Sequence, residues 1–307
     1  MAHQFALLTH LPGAERNLNK PGMAPYFYRR LAAQFSPIRK LAVVTVADFL
    51  TGWLLGCPWR FDDNFYFPVA FIKNRLMQAA SKARDMGAEA IGWRAGSCFP
   101  GWLPWLTQRY SVWVLTGQAL DIYASVEWIR RRINLDRFAP GKMNVLVNPI
   151  QSPETIVLAR LLARDFKRLT LAGGNMCLLS RVADQIRHET GVVCSIKQDP
   201  EPYVYNLVCV RDWKGLFFSI RTGAQDIAWR KVWFSLPWKL FSDGGKMALD
   251  PEMVDSCTGE TILFSWLARP ELCYTIQPLT VRVVETFGKL AREYDIVPRE
   301  VCEELAG

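Results

Sequence analysis

The chain is poor in the features that would announce export, a membrane span or a metal centre. Across its 307 residues no run reaches about 18 uninterrupted apolar residues, so no transmembrane helix is expected. Residues 1–17 lack a basic stretch followed by a long apolar one, which argues against a secretory signal. Histidine is scarce, at three, and the eight cysteines form no CxxC pair and no cluster with histidine. A zinc site is therefore not expected, and the cysteines read as reduced thiols of a cytoplasmic protein rather than as a disulfide framework. Charged residues are only 21% of the chain while hydrophobic ones are 50%, which excludes a disordered polymer and supplies a large core. Lys and Arg outnumber Asp and Glu by 37 to 29, a net +8. With no basic tail, zinc-finger spacing or RNA-binding signature, nucleic acid is not an expected partner. The basic groups at Arg29–Arg30, Arg39–Lys40 and Arg130–Arg131–Arg132 read singly as solvated faces. Together they suit an acidic protein or peripheral contact with an anionic membrane surface.

Strand and helix patterns alternate along the rest. FALLTHL (Phe5 to Leu11) reads as a short buried strand, followed by a helical stretch around Tyr26–Phe35. LAVVTVADFL, from Leu41, is β-branched and apolar on both faces, as a buried strand is. Ile72, Leu76, Met77, Ala80 and Ala83 recur at helical spacing up to Met86, and Gly87 stands where a C-terminal cap belongs. AEAIGW reads as the next strand. Val112–Leu115 is another, running into Thr116 as a helix cap and Gly117, which would turn backbone amides toward a ligand before a helix from Gln118. After a boundary at Pro140–Gly141 come a strand from Asn144, a helix through Thr155–Asp165, the strand RLTLAGG and a helix ending at Gly191. VVCSI, NLVCV and KVWFSL supply further strands, and from Pro251 the pattern turns helical. This is an α/β chain with a parallel, Rossmann-like sheet. It divides into an N-terminal α/β lobe over 1–138, a Rossmann-like domain over 139–248 and a helical segment over 249–307.

The segment Cys257-Thr-Gly-Glu260-Thr-Ile-Leu263 is similar to the Cys-x-x-Glu-x-Met-Leu segment around the catalytic cysteine of the long-chain acyl-[acyl-carrier-protein] reductases. The likeness stays in register through LTVRVVETFGKLAREYDIVP, which resembles that family's closing helix. FALLTHL resembles its opening strand, with His10 at the place of a family histidine. LTGQALDIYASVEWIRRRINLD resembles its Thr-Gly-Asn segment and following helix, with Thr116, Gly117 and Tyr123 on matched positions. In that family an acyl thioester passes from an acidic carrier protein to the cysteine, and NADPH reduces the acyl-enzyme to an aldehyde. The resemblance implies that Cys257 is the nucleophile. It implies that the N-terminal lobe binds the acyl group, with Thr116, Gly117, Gln118 and Tyr123 against the substrate. The basic surface, with Arg29, Arg30, Arg130 and Arg131, would suit docking of such an acidic carrier.

The chain departs from the family where NADPH should sit. A glycine-rich loop after the first Rossmann strand is replaced by Asn148-Pro149-Ile150-Gln151-Ser152-Pro153-Glu154. Those glycines serve a tight turn, close backbone approach to pyrophosphate and helix–strand packing. Two prolines remove amide donors, and Glu154 adds negative charge at a helix N-terminus. The family's Thr-Ala-Arg at the next strand end becomes Ala172-Gly173-Gly174, without the arginine that would face a 2′-phosphate. Gly173–Gly174 reads as a turn, or alternatively as a relocated phosphate loop. No bound cofactor is expected.

Most cysteines in such a chain are small core residues. Register singles out Cys257, and Pro251 and Asp255 place it near a helix start, where thiols are activated. Glu260 lies one turn on, as a base for the incoming nucleophile or as a helix-surface carboxylate. His10 is the other candidate base, or a hydrogen-bonded core histidine. His188, beside Arg187, reads as solvated. Trp102, Trp105 and Trp113 would line an acyl tunnel or pack a core. A thiol that accepts an acyl group without a hydride donor predicts an acyltransferase with an unknown small-molecule amine, hydroxyl or thiol acceptor. The alternatives are an NAD(P)H-dependent acyl-thioester reductase and a non-catalytic acyl-carrier-binding protein.

Overall fold

The computed structural model describes residues 4–10, 37–46, 50–57, 69–93, 100–135, 139–212, 215–221, 226–229, 232–236, 240–242, 253–267, 269–274 and 278–300. The chain opens with β1 (Phe5–His10), β2 (Arg39–Val46), β3 (Leu50–Cys57), α1 (Val69–Asp85), β4 (Ala90–Gly92), α2 (Leu103–Tyr110) and β5 (Trp113–Leu115). The stretch from Leu41 to Leu50, expected as one strand, belongs to two antiparallel strands, with Val44 opposite Gly52. β3, β1, β4 and β5 run parallel, and Leu54, Leu7, Gly92 and Leu115 stand in one row across them. The two-residue period of the strands divides their side chains between two faces. Ala6, Leu8, Leu55, Ile91 and Val114 share one core with Ile72, Leu76, Ala80 and Ala83 of α1 and Leu103 and Leu106 of α2. Phe5, Leu7 and Gly92 turn the other way.

The second stretch runs through α3 (Gln118–Leu135), β6 (Asn144–Asn148), α4 (Pro153–Leu162), β7 (Arg168–Ala172), α5 (Met176–Thr190), β8 (Ser195–Lys197), β9 (Leu207–Asp212), β10 (Gly215–Arg221) and β11 (Asp226–Trp229). Their sheet has the order β11-β10-β9-β6-β7-β8. β9, β6, β7 and β8 are parallel, as the alternation of strands and helices predicts. β10 and β11 are not: both pair antiparallel at the sheet's edge. Only residues 213 and 214 separate β9 from β10, and so short a link permits a hairpin but no crossover.

β12 (Val232–Ser235), β13 (Leu240–Ser242), β14 (Met253–Asp255), α6 (Ser256–Leu267), α7 (Val281–Glu293) and β15 (Val297–Glu300) complete the chain. β13 adds antiparallel to β2, giving the first sheet the order β13-β2-β3-β1-β4-β5, and β14-β12-β15 form a small sheet. The chain divides into two compact units: Met1–Gly117, Phe234–Gln277 and Leu290–Val297 in one, and Gln118–Trp233, Pro278–Lys289 and Pro298–Gly307 in the other. The residues from 249 onward are thus shared between units, and α6 goes with the first. Among the described residues no helix is long and apolar enough to cross a membrane.

Candidate active site

The site is built where α6 begins. Asp255 Oδ1 accepts the Thr258 amide at 2.8 Å, capping the helix and placing Cys257 in its first turn. Ser256 through Ser265 are all buried, so this helix is embedded rather than amphipathic. Two glycines let it in. A Cβ on Gly92 of β4 would lie 2.5 Å from Thr261 Oγ1, 2.8 Å from Leu7 Cδ2 and 3.4 Å from Cys257 Sγ. A Cβ on Gly117, whose φ is +85°, would lie 2.5 Å from the Cys257 nitrogen and 2.8 Å from Ser256 Oγ. The α6 N-terminus therefore meets β4 and the end of β5 at backbone distance. That is the carboxyl edge of the parallel strands, where open α/β sheets carry their sites.

Cys257 is 4% exposed, and its thiol donates to the Leu115 carbonyl at 3.4 Å. That carbonyl also accepts the Trp93 amide at 2.8 Å, so it stays satisfied when the thiol swings away. Glu260 is not a surface carboxylate: it is 0% exposed. Its Oε2 accepts the Gly117 amide at 2.8 Å and the Tyr274 hydroxyl at 2.8 Å. Thr116 Oγ1 lies 2.8 Å from the Tyr274 oxygen; because the single Tyr274 proton goes to Glu260, Thr116 is the donor of that pair. A directed chain thus runs from Thr116 through Tyr274 to Glu260. The Gly117 amide, expected to face a ligand, is turned to Glu260 instead.

The structure brings together Thr116, Gly117, Cys257 and Glu260, which are up to about 140 positions apart in sequence. His10 ends β1 opposite Cys57 of β3, at the same sheet edge, and its side chain lies outside the described residues. Gln118 and Tyr123 are engaged elsewhere: the Gln118 amide donates to Glu154 Oε1, and the buried Tyr123 ring packs on Gly288. Arg29 and Arg30 lie outside the described residues. Burial alone would lower the pKa of Arg130, but hydrogen bonds and charges from Asp165 at 2.9 Å and Glu127 at 3.0 Å raise it. Arg131 is exposed, as is His188. Trp113 tilts against Phe264 with ring centroids 6.0 Å apart, and Trp102 and Trp105 pack on the first core. Lys73 Nζ sits 4.7 Å from the Trp105 ring centre and the Arg109 guanidinium 5.8 Å from it.

Sequence reasoning missed Tyr274, Ser256 and Gly92. Gly92 carried a signal, since a glycine inside a strand marks close backbone approach. Tyr274 carried none; the turn at Pro270–Leu272 precedes it, and Cys273 beside it reaches the Val114 carbonyl. Burial raises the pKa of three other thiols. Burial pushes Cys57 up to about 12, with the Arg75 charge partly opposing, and pushes Cys194 up to about 11. Burial raises Cys209 as well.

The second unit shows where the dinucleotide loop would be. Ser152 and Thr155 cap α4 reciprocally and Pro153 opens it. The Ile150 amide donates to the Ala172 carbonyl at 2.9 Å, and Gln151 Nε2 to the Gly173 carbonyl at 2.6 Å. Glu154 is buried in the first turn, engaged by Gln118. The amides of Ile150, Ser152 and Thr155 are therefore spent, and Pro149 and Pro153 have none to offer. Those three amides and the two prolines offer a pyrophosphate no donor. Among the described residues no group of three His, Cys, Asp or Glu side chains could hold a metal ion. No protein-family model and no curated protein matches the chain.

Proposed function

We propose that this protein is a cysteine-dependent acyltransferase that takes an acyl group from a carrier-protein or coenzyme A thioester onto Cys257 and passes it to an amine, hydroxyl or thiol acceptor without NADPH. The observation that carries this reading is the convergence of Thr116, Gly117, Cys257 and Glu260 at the carboxyl edge of one parallel sheet. In this reading the first unit is the acyl-binding lobe and the second a Rossmann-like unit without a dinucleotide site, in a protein of the cytoplasm. The Cys257 sulfur adds to the thioester carbon, the bond to the donor sulfur breaks, and the proton lost from Cys257 leaves on that sulfur. The acceptor's lone pair then attacks the acyl-enzyme, its proton returning to Cys257. Glu260 has two donors on one oxygen, so its part is to hold Gly117 and the helix together. The proton acceptor for the thiol is sought in His10, which ends β1 at the same edge.

The burial of Cys257 favours a second reading, a non-catalytic acyl-carrier-binding protein. One experiment decides between them. Wild-type protein mixed with acyl-carrier thioesters of varied chain length should gain the acyl mass, as read by intact-protein mass spectrometry. Cys257→Ser should show no adduct and no transfer at an unchanged melting temperature, because serine without its own base is a poor nucleophile. Turnover of Cys257→Ser near the wild-type rate would mean direct attack on the donor thioester, with no covalent intermediate.

A further inference from the structure

Outside the Glu260 chain, Ser256 carries chemistry that the site has not used. This residue is 0% exposed, and among the described residues its hydroxyl has no hydrogen-bond partner. Burying an unpaired hydroxyl is destabilising, so its presence calls for a group that completes it. Two other buried hydroxyls, Thr107 and Ser265, share that state. Thr107 is on α2, and Ser265 is eight residues beyond Cys257, about 12 Å along the helix. Ser256 alone adjoins the thiol.

Its surroundings suit negative charge. Ser256 opens α6, whose 12 residues direct the positive end of their dipole at this turn. Its Oγ and the Cys257 nitrogen both face the bare side of Gly117, 2.8 and 2.5 Å from where a Cβ would stand. The Cys257 thiol meets the Leu115 carbonyl two residues earlier. Thiol and hydroxyl thus meet the two ends of the segment Leu115–Gly117 from adjacent positions in one helical turn.

We infer that Ser256 is a catalytic hydrogen-bond donor, its hydroxyl receiving the carbonyl oxygen of the acyl group as that oxygen takes on charge during transfer to and from Cys257. This rests on the acyltransferase reading and assigns the site its thioester-carbonyl subsite. When the thiol sulfur bonds to the thioester carbon, the carbon–oxygen π pair moves onto oxygen, and the Ser256 proton stabilises it without being transferred. As the donor sulfur leaves with its proton, the double bond re-forms. The hydroxyl that is unpaired in the free protein is thereby paired in the transition state, which is the condition for rate enhancement rather than mere binding.

The test compares wild type, Ser256→Ala and Ser256→Cys in single-turnover acylation of Cys257 by an acyl-carrier thioester, with thermal melting measured in parallel. Ser256→Ala should acylate about 10²-fold more slowly while melting at the same or a higher temperature, since it removes an unsatisfied buried group. Ser256→Cys, a weaker donor of similar size, should fall between. In the infrared spectrum of the carbon-13 acyl-enzyme, the carbonyl band should move to higher wavenumber in Ser256→Ala. Wild-type acylation rates and an unshifted band in Ser256→Ala would overturn the Ser256 assignment and leave the acyltransferase reading standing. Absence of any adduct on wild type would overturn both.

Discussion

Among the described residues Cys57 and Cys257 both lie at the carboxyl edge of one sheet, and their surroundings separate their chemistry. Cys57 ends β3 fully buried, and burial pushes its thiol up to about 12 despite the opposing charge of Arg75. In the unfolded chain the same thiol titrates near its ordinary value of 9.0. Between those values the folded form holds a proton that the unfolded form has lost. The stabilisation is therefore complete below pH 9 and is lost as pH rises toward 12, at up to about 1.4 kcal/mol per pH unit. Urea titrations of Cys57→Ala should show a shallower loss of stability between pH 9 and 11 than wild type, with Cys209 and Cys194 retaining part of the slope. An identical slope would show that Cys57 is not held neutral. Cys257 differs in having helix α6 begin beneath it and a carbonyl acceptor that survives its departure.

At the scale of elements, α6 supplies Ser256, Cys257 and Glu260 to the site, and α1 and α2 carry positive charge on the opposite face of the same sheet. These two helices carry Lys73, Arg75, Lys82, Arg84 and Arg109 against a single acid, Asp85. Lys82 is spent on the Ile38 carbonyl and Arg75 bonds Gln78, which leaves as outward cations Arg84 and, ordered over Trp105, Lys73 and Arg109. In a strand–helix–strand unit the helix starts at the carboxyl edge of the sheet, so Lys73 and Trp105, near the starts of their helices, lie toward the Cys257 end. Arg130, by contrast, is paired with Glu127 and Asp165. Reversing Lys73 and Arg109 to Glu together should slow acylation from an acidic carrier about tenfold at low salt. The deficit should shrink at physiological ionic strength, where screening acts within about 8 Å. Acylation from a neutral N-acetylcysteamine thioester should be unchanged; equal loss with both donors would locate the damage in the fold instead.

For the whole molecule, the decisive feature is how few amide donors are left after β6. Because Ile150, Ser152 and Thr155 have spent theirs, 1 mM NADPH should not move the melting temperature. Binding at 10 μM would add about 2.7 kcal/mol and shift it by several degrees, restoring the reductase reading. The missing glycines raise this expectation in the sequence, whereas α1 was legible from its apolar spacing and the ends of α1 and α5 from Gly87 and Gly191. Local chemistry determines such features, so the sequence alone contains them: which stretches alternate, where a helix caps, which loop lacks donors. The single segment from Leu41 was misread because strand periodicity does not mark where a strand turns back. β10 and β11 went unread because an edge hairpin needs no helix between its strands. What only the tertiary structure decided is who meets whom. Glu260 reads equally as surface or site until α6 is buried against Gly92 and Gly117. Tyr274 has no motif at all, and it matters because the chain returns it to within 2.8 Å of both Thr116 and Glu260. Tyr274 and Thr116 are 158 positions apart, and even Tyr274 and Glu260, 14 apart, meet only through the packing of the chain, so no local rule of spacing or propensity encodes these contacts.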